Sequence, residues 1–274
     1  MKTEYVFFWI AVALYGVSTF SYIFGLISRY EKLFLVGLYS ALAGVIPHTA
    51  AIAVRWKTGG IEPFTTISES ISFGIFVAIL IFLIFQFTVK KVQPLGVLVM
   101  PVSFVLMGWG GTLFKDVATQ LAPALQSWWL WVHIIGATVG FGSVLIAAGL
   151  GLMYLLQEKK SGGIYDKLPE PKALDDLSYR FVAGGFIMYG LMIISGAYWS
   201  NTVKGSYWAW DPVEVWSLIS WLMYGIYLHL RVTFGWRGRK LAWYALIALA
   251  VMIISYWGIP FSMETFHSGF RIEH

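Results

Sequence analysis

The sequence contains no cysteine. The chain therefore cannot form disulfides or bind a metal through thiolates, and any thiol chemistry must use thiols that another molecule supplies. Charge is also scarce, because 12% of the residues are charged and 58% are hydrophobic, whereas an average soluble domain has about 25% charged residues. Together with a mean hydropathy of +0.72, this composition indicates a protein of the lipid bilayer.

Several signatures of chemistry are absent as well. The sequence has no HxH or HExxH motif and no carboxylate cluster with ligand spacing, which argues against a zinc or carboxylate-bound metal site. Nothing in it suggests a Ser-His-Asp nucleophile, a phosphate-binding glycine loop or a nucleic-acid-binding face. No long polar segment separates two folding units, so residues 1–274 are predicted to form one membrane domain.

Apolar runs divide the chain into eight predicted membrane spans. Most approach the length of about 20 residues that a spanning helix needs, and the fourth is the shortest. The predicted fold is therefore an all-α polytopic membrane protein with about eight transmembrane helices. The spans lie near residues 5–27, 33–55, 70–89, 94–109, 129–156, 179–199, 213–233 and 241–258.

The basic residues predict how these spans are oriented. Alternate loops lie on opposite sides of the membrane, and one set of loops carries thirteen Lys and Arg residues whereas the other carries six. The positive-inside rule assigns the richer set to the cytoplasm. Both termini and the segment around residues 200–217 are then predicted to lie on the outer side.

Four histidines are candidate ligands. Ionisable groups in a bilayer are costly, so each intramembrane histidine suggests a function. His48 and His229 fall within predicted spans, whereas His133 and His267 fall near the outer surface. Two external and two intramembrane histidines suggest two bis-imidazole sites at different depths, as the axial ligands of haem iron.

Simpler interpretations of these histidines remain open. A lone histidine in a membrane can form an ordinary hydrogen bond between helices, which is the alternative for His48 and His229. His267 can be a polar residue of an exposed tail, and His274 is the end of the chain, where residues seldom have a defined role.

The segment "WAWDPVEVW" predicts the start of the seventh helix. Asp211 suits the N-cap, Pro212 the first helical position, and Glu214 completes a capping box. The helix dipole favours negative charge at this end, such as the propionates of haem. Four tryptophans around the cap could form an apolar shelf for a planar macrocycle: Trp208, Trp210, Trp216 and Trp221.

The alternative for these tryptophans is the aromatic belt that membrane proteins place at the depth of the lipid headgroups. The belt accounts well for the other tryptophans near predicted span ends: Trp128, Trp129, Trp131 and Trp257. It accounts poorly for four tryptophans gathered around a capped helix start in a short external loop.

The same residues carry a resemblance to a known family. "WAWDPVEVWSLISWLMYGIYLHLR" resembles the tryptophan-rich WWD signature of the haem-handling proteins of cytochrome c maturation, with external histidines on both sides. "HTAAIAVRW" and "PFTTISESISF" resemble the early region of the CcsA (ResC) type of the System II pathway. The likeness covers most of the chain.

The resemblance implies that the chain carries haem b outward across a bacterial inner membrane or a thylakoid membrane. There it presents haem to apocytochrome c, whose CxxCH thiols add to the vinyl groups, as one subunit of a cytochrome c synthase (haem lyase) complex. His133 and His267 would be the external axial ligands at the tryptophan platform, and His48 and His229 the intramembrane pair. The chain has no large external domain, so it would need a separate CcsB (ResB) partner.

Helical geometry leaves the pairing of His48 with His229 open. At 1.5 Å of rise per residue, His229 lies about 27 Å below Asp211, whereas His48 lies about 10 Å from Arg55. Three other functions also remain open: haem delivery of the CcmC type, a membrane electron-transfer subunit with two b haems, and a polytopic scaffold without haem. Eight spans argue against the CcmC type, and the external tryptophan segment argues against the electron-transfer subunit.

Overall fold

The computed structural model describes residues 3–60, 62–89, 91–113, 127–159, 162, 165, 168–263 and 265. Within these ranges the regular structure is helical and no strand is present, which confirms the predicted all-α fold. The helices are α1 (Thr3–Ser28), α2 (Lys32–Gly59), α3 (Ile67–Thr88), α4 (Gly96–Thr112), α5 (Trp128–Lys159), α6 (Pro171–Lys204), α7 (Pro212–Val232), α8 (Arg239–Ile253) and the short α9 (Ile259–Ser262).

Eight long helices correspond to the eight predicted spans. Seven helical stretches in the described part of the chain are long and apolar enough to cross a membrane; α8 qualifies together with the helical turns that follow it, and α7 is the exception. The tryptophans, serines, tyrosines and His229 of α7 lower its hydropathy. Helix α6 begins at Pro171, eight residues before the predicted span, because the polar segment ahead of that span is helical too.

Successive long helices run in opposite directions. The start of α3 meets the end of α4, where the Ser68 hydroxyl donates to the Gly110 carbonyl at 2.8 Å. Trp109, near the end of α4, packs edge-to-face on Phe261 of α9. The starts of α1, α3, α5 and α7 therefore share one end of the bundle, which we call the tryptophan end. Both ends of the described chain lie there as well.

Helix α5 is the centre of the bundle, and glycines allow its neighbours to approach closely. A Cβ at Gly136 would lie 2.8 Å from the backbone oxygen of Met188 on α6. One at Gly142 would lie 3.1 Å from the Cα of Ala78 on α3. Small residues at such positions are the usual way in which membrane helices gain close van der Waals packing. The tight α5–α6 contact places residues of both helices around one cavity.

A buried ionic network joins α6, α7 and α8 at the opposite end. Arg231, 4% exposed, donates hydrogen bonds to the carboxylates of Asp175 and Asp176. Its guanidinium lies 4.8 Å from the ring centroid of Tyr179, and the other oxygen of Asp175 accepts the Gly238 backbone N–H at 2.9 Å. Arg231 is one of the thirteen basic residues that the positive-inside count assigned to cytoplasmic loops, but the structure buries it and pairs it with two carboxylates.

Candidate functional site

A cavity of about 410 Å³ opens at the tryptophan end of the bundle. Its lining comes from α3, α5, α6, α7, the segment after α8 and the loops at this end, and it is mainly apolar and aromatic. The volume lies within the range of small-molecule and cofactor pockets, about 300–1,000 Å³. Of the eight candidate site residues that the structure describes, His133 and Trp208 line this cavity.

The start of α3 forms one wall, and Glu69 fixes its position. One oxygen of Glu69 accepts hydrogen bonds from the backbone N–H groups of Thr65 and Thr66, and the other forms a buried ion pair with Arg55 of α2. The Thr66 hydroxyl oxygen in turn accepts a hydrogen bond from the Glu69 backbone N–H, which completes the capping box. This network holds the lining residues at 64–67 against α2.

His133 lies against α6, and Gly196 makes room for its ring. The Nδ1 atom is 2.9 Å from the Met192 carbonyl oxygen, which can only accept, so Nδ1 carries the proton and donates it. A Cβ at Gly196 would lie 2.8 Å from that same Nδ1. The other nitrogen, Nε2, makes no hydrogen bond to the described residues and keeps its lone pair for a ligand. A backbone carbonyl bonded to the far nitrogen is the usual second-shell support of a metal-binding imidazole.

The start of α7 has the predicted cap. Asp211 accepts a hydrogen bond from the Val213 N–H at 2.9 Å, and Glu214 accepts from the Asp211 N–H at 3.2 Å. Glu214 also accepts from the Ala209 N–H at 2.8 Å, so one carboxylate holds the loop and the helix start together. The capping box predicted from the sequence is therefore confirmed.

Trp208 and Trp210 take different positions around this cap. Trp210 has a φ of +58°, a left-handed conformation that is uncommon for a bulky side chain. Its indole is 73% exposed, whereas Trp208 lines the cavity. The two rings still meet edge-to-face at 6.1 Å. The backbone turn thus directs one tryptophan into the site and leaves its neighbour at the surface.

Trp221 and Trp216 lie outside the cavity lining. Trp221 stacks on Phe186 of α6, with centroids 4.7 Å apart and an interplanar angle of 7°. Its indole N–H donates to the Phe186 carbonyl at 3.1 Å. Trp221 therefore joins α6 to α7 in this structure, and Trp216 is partly buried on α7.

The structure does not bring His48 and His229 together. His48 is fully buried, with Nδ1 3.0 Å from the Tyr15 hydroxyl and Nε2 3.0 Å from the Ser72 hydroxyl. Both ring nitrogens are therefore engaged, as in the simpler interpretation of a membrane histidine. His229 is exposed near the other end of the bundle, where it contacts Thr233 and Phe234. His267 lies outside the described residues.

Several lining residues were missed by the sequence analysis. Trp257, which we assigned to the aromatic belt, is 3% exposed and packs on Phe141 at 4.9 Å. Tyr256 and Met192 also line the cavity, and the Tyr256 hydroxyl donates to the Ala137 carbonyl at 3.2 Å. Tyr256 and Trp257 belong to a π-helical turn, Ile254–Gly258, that no sequence pattern indicated.

Comparisons with known proteins agree with this architecture. A family model described as cytochrome C assembly protein matches residues 64–267, which include every cavity-lining residue. A solved structure, the cytochrome c haem lyase CcmF, superposes with a TM-score of 0.74 and covers 94% of this chain. That match covers 47% of the CcmF chain at 14% identity, so the likeness shows a shared fold.

Three curated relatives are each named cytochrome c biogenesis protein CcsA. The Chlamydomonas reinhardtii protein is 35% identical, over 79% of this chain and 63% of its own length. The Guillardia theta protein is 31% identical, over 92% and 91%. The Synechococcus sp. (strain CC9605) protein is 32% identical, over 86% of each. This multi-pass membrane protein therefore belongs to the cytochrome c assembly family, as a CcsA-type protein of cytochrome c biogenesis.

Proposed function

We propose that the cavity at the tryptophan end holds haem b and presents it for covalent attachment to apocytochrome c. The observation that carries this proposal is His133. Its Nδ1 is held by the Met192 carbonyl, so the neutral Nε2 can bind iron inside an aromatic cavity. Each CxxCH thiol would add its sulfur and its hydrogen across one vinyl group, with no atom lost.

The remaining assignments follow from the family resemblance and complete this proposal. His267 is the second external ligand, and His48 with His229 binds haem on its way across the membrane. That pairing requires the helices to rearrange, because the structure places the two histidines at different depths. Haem can reach His48 only after the bonds to Tyr15 and Ser72 break. The chain forms one membrane domain in a bacterial inner membrane or a thylakoid membrane, with its tryptophan segment on the periplasmic or lumenal side. A CcsB/ResB-type partner completes the synthase.

The position of the intramembrane histidines does not favour the electron-transfer alternative. Subunits with two b haems pair histidines across helices at matched depths. Here His48 contacts α1 and α3 in the half of the bundle nearer the tryptophan end, whereas His229 lies near the opposite end of α7. Haem handling at one external site is the function that this geometry supports best.

The experiment that tests the proposal is co-expression of the chain with a CcsB-type partner and a reporter apocytochrome c. We expect haem that stays on the reporter through denaturing electrophoresis, detected by its peroxidase activity. Omitting this chain should abolish the signal, because no other component then presents haem. A reporter that acquires covalent haem equally well without this chain would contradict the proposed function.

Trp208→Ala should lower the haem occupancy of the purified protein by about 5- to 20-fold, since an aromatic contact and its buried surface are lost. Trp128→Ala is the matched control, because Trp128 is 77% exposed at the same end of the bundle and does not line the cavity. Absorbance of bound haem per protein measures the effect. Equal occupancy in both variants would exclude stacking by Trp208.

Gly196→Ala should lower haem affinity by about 10-fold or more, a loss typical for disturbing the support of a metal ligand. The new methyl group would meet His133 Nδ1 at 2.8 Å and displace the ring from the Met192 carbonyl. Gly184→Ala is the control on the same helix, because its added Cβ meets no atom within 4 Å. Haem titration of both proteins in detergent checks the prediction, and matching affinities would refute it.

A further inference from the structure

The inner part of the cavity carries a cluster of hydroxyl groups. Ser217 of α7 and Ser255 of the π-helical turn line the cavity, and both lie close to the Tyr189 hydroxyl, as does Ser220. Tyr189, Ser220 and Ser255 are fully buried. Their hydroxyls approach one another, but within the described residues they do not reach hydrogen-bond geometry.

The same region holds a further unpartnered donor. Trp257 is 3% exposed and lines the cavity, yet its indole N–H has no acceptor among the described residues. Buried polar groups nearly always have a partner, and an indole nitrogen can only donate. The inner end of the cavity therefore offers hydrogen-bond donors to a ligand that carries acceptors.

The π-helical turn creates this arrangement. Ser255, Tyr256 and Trp257 are consecutive in sequence, yet all three line the cavity. In an α-helix consecutive side chains are spread around the axis, whereas the wider π turn brings these three toward the same space. Single π turns inside α-helices occur often at functional sites. The π turn thus places three consecutive side chains in the cavity lining, which helix packing alone does not require.

The mouth of the cavity has the opposite electrostatic character. Lys204 is the cation among the described lining residues, and Glu214 is the anion. The carboxylates of Glu214 and Asp211 both lie close enough to the Lys204 ammonium to attract it, so two negative charges face one positive charge. The helix dipole alone was expected to favour propionates at this end, but Asp211 and Glu214 already accept hydrogen bonds from the N–H groups there. A further carboxylate at the mouth would therefore meet an excess of negative charge.

We propose that the inner donors, Ser217, Ser255 and Trp257, bind the carboxylate edge of haem, so that its vinyl edge faces the mouth. This inference rests on the proposed function. The vinyl groups must be reached by thiols of a protein substrate outside the bundle, and haem carries its two propionates away from its vinyl groups. A carboxylate inside then accepts a hydrogen bond from Ser217 and from the Ser255 hydroxyl and Trp257 indole N–H, which lack a partner among the described residues. Charged acceptors make the strongest such bonds.

The test compares haem with haem dimethyl ester, which lacks the carboxylate charges. Both are titrated into the purified full-length protein in detergent and followed by absorbance. A Ser217→Ala/Ser255→Ala double variant should bind haem about 10-fold more weakly and bind the ester as wild type does. Ser103→Ala is the control, because Ser103 is a buried serine of α4 whose hydroxyl already donates to Val99. Thermal stability of each variant excludes misfolding.

Lys204→Gln tests the opposite orientation in the same assay and should leave both affinities unchanged. If Lys204→Gln weakens haem but not the ester, the carboxylates face the mouth and the inference is wrong. If the double variant loses both ligands equally, or neither, the serines do not recognise carboxylates and the inference is wrong as well. A wild-type protein that binds neither ligand would overturn the proposed function itself.

Discussion

A His133→Gly protein should attach haem to a reporter apocytochrome c more than about 10-fold less efficiently than the wild type. Removing a residue that only supports a metal ligand typically lowers metal affinity or activity by about 10- to 100-fold. Removing the ligand itself should cost at least the lower of these values. The change removes the imidazole whose Nδ1 is bonded to Met192 and whose Nε2 is available to iron. Haem that remained stacked on Trp208 would lack one axial ligand.

Imidazole in the growth medium should restore much of this activity, because the space left by the ring admits the free base. The measurement is covalent haem on the reporter with and without added imidazole. A matched His229→Gly protein should not respond to imidazole in this way, since His229 is exposed near the far end of α7, away from the cavity. Unchanged attachment in His133→Gly, with no effect of imidazole, would contradict the assignment.

An Arg231→Ala protein should lose about 3–5 kcal/mol of stability, the usual cost of removing one partner from a buried ion pair. Asp175 is 8% exposed and would be left buried with only the Gly238 N–H and the solvent-exposed Arg237, 4.0 Å away, to offset its charge. The same change removes the bond to Asp176 and the contact with the Tyr179 ring. The junction of α6, α7 and α8 should therefore loosen first.

Arg237→Ala is the control for this prediction. Arg237 lies beside the same two carboxylates, at 4.0 and 3.5 Å, but its side chain is 62% exposed, so its removal should change stability by less than about 1 kcal/mol. Unfolding of the detergent-solubilised proteins by increasing denaturant measures both changes. Equal losses in the two variants would mean that burial does not make the Arg231 network stronger.

The features that follow from local sequence could be predicted. The apolar runs and their lengths predicted the eight long helices, and the spacing of Asp211 and Glu214 predicted the capping box at α7. The order of the spans predicted that His133 lies on the same side of the membrane as the tryptophan segment. In the structure His133 lines the cavity at the tryptophan end. Each of these predictions depends on residues that are close together in the chain.

The features that depend on distant residues could not be predicted. The count of basic residues assigned Arg55 and Arg231 to loops, but both are buried and paired with carboxylates that lie 14 and 56 residues away along the chain. Trp221 belongs to the tryptophan segment in sequence, yet its stacking partner, Phe186, is 35 residues earlier. The roles of Met192 and Gly196 toward His133 depend on how closely α5 and α6 pack.

His48 shows how one pattern can support two interpretations. Its position in a span predicted either a haem ligand or a hydrogen bond between helices, and the structure shows hydrogen bonds to Tyr15 and Ser72. These bonds fix the ring between α1 and α3. If His48 binds haem in transit, a Tyr15→Phe change frees one nitrogen and should not reduce that binding.

The measurement that tests the central claim most directly is the absorption spectrum of the purified protein. The wild type, expressed with its CcsB-type partner and sufficient haem, should show the Soret and visible bands of bis-histidine haem. His133→Ala should lose or weaken those bands, and so should His267→Ala, whereas His48→Ala and His229→Ala should keep the haem site at the tryptophan end. A wild-type protein without haem, or a His133→Ala protein with an unchanged spectrum, would contradict the account.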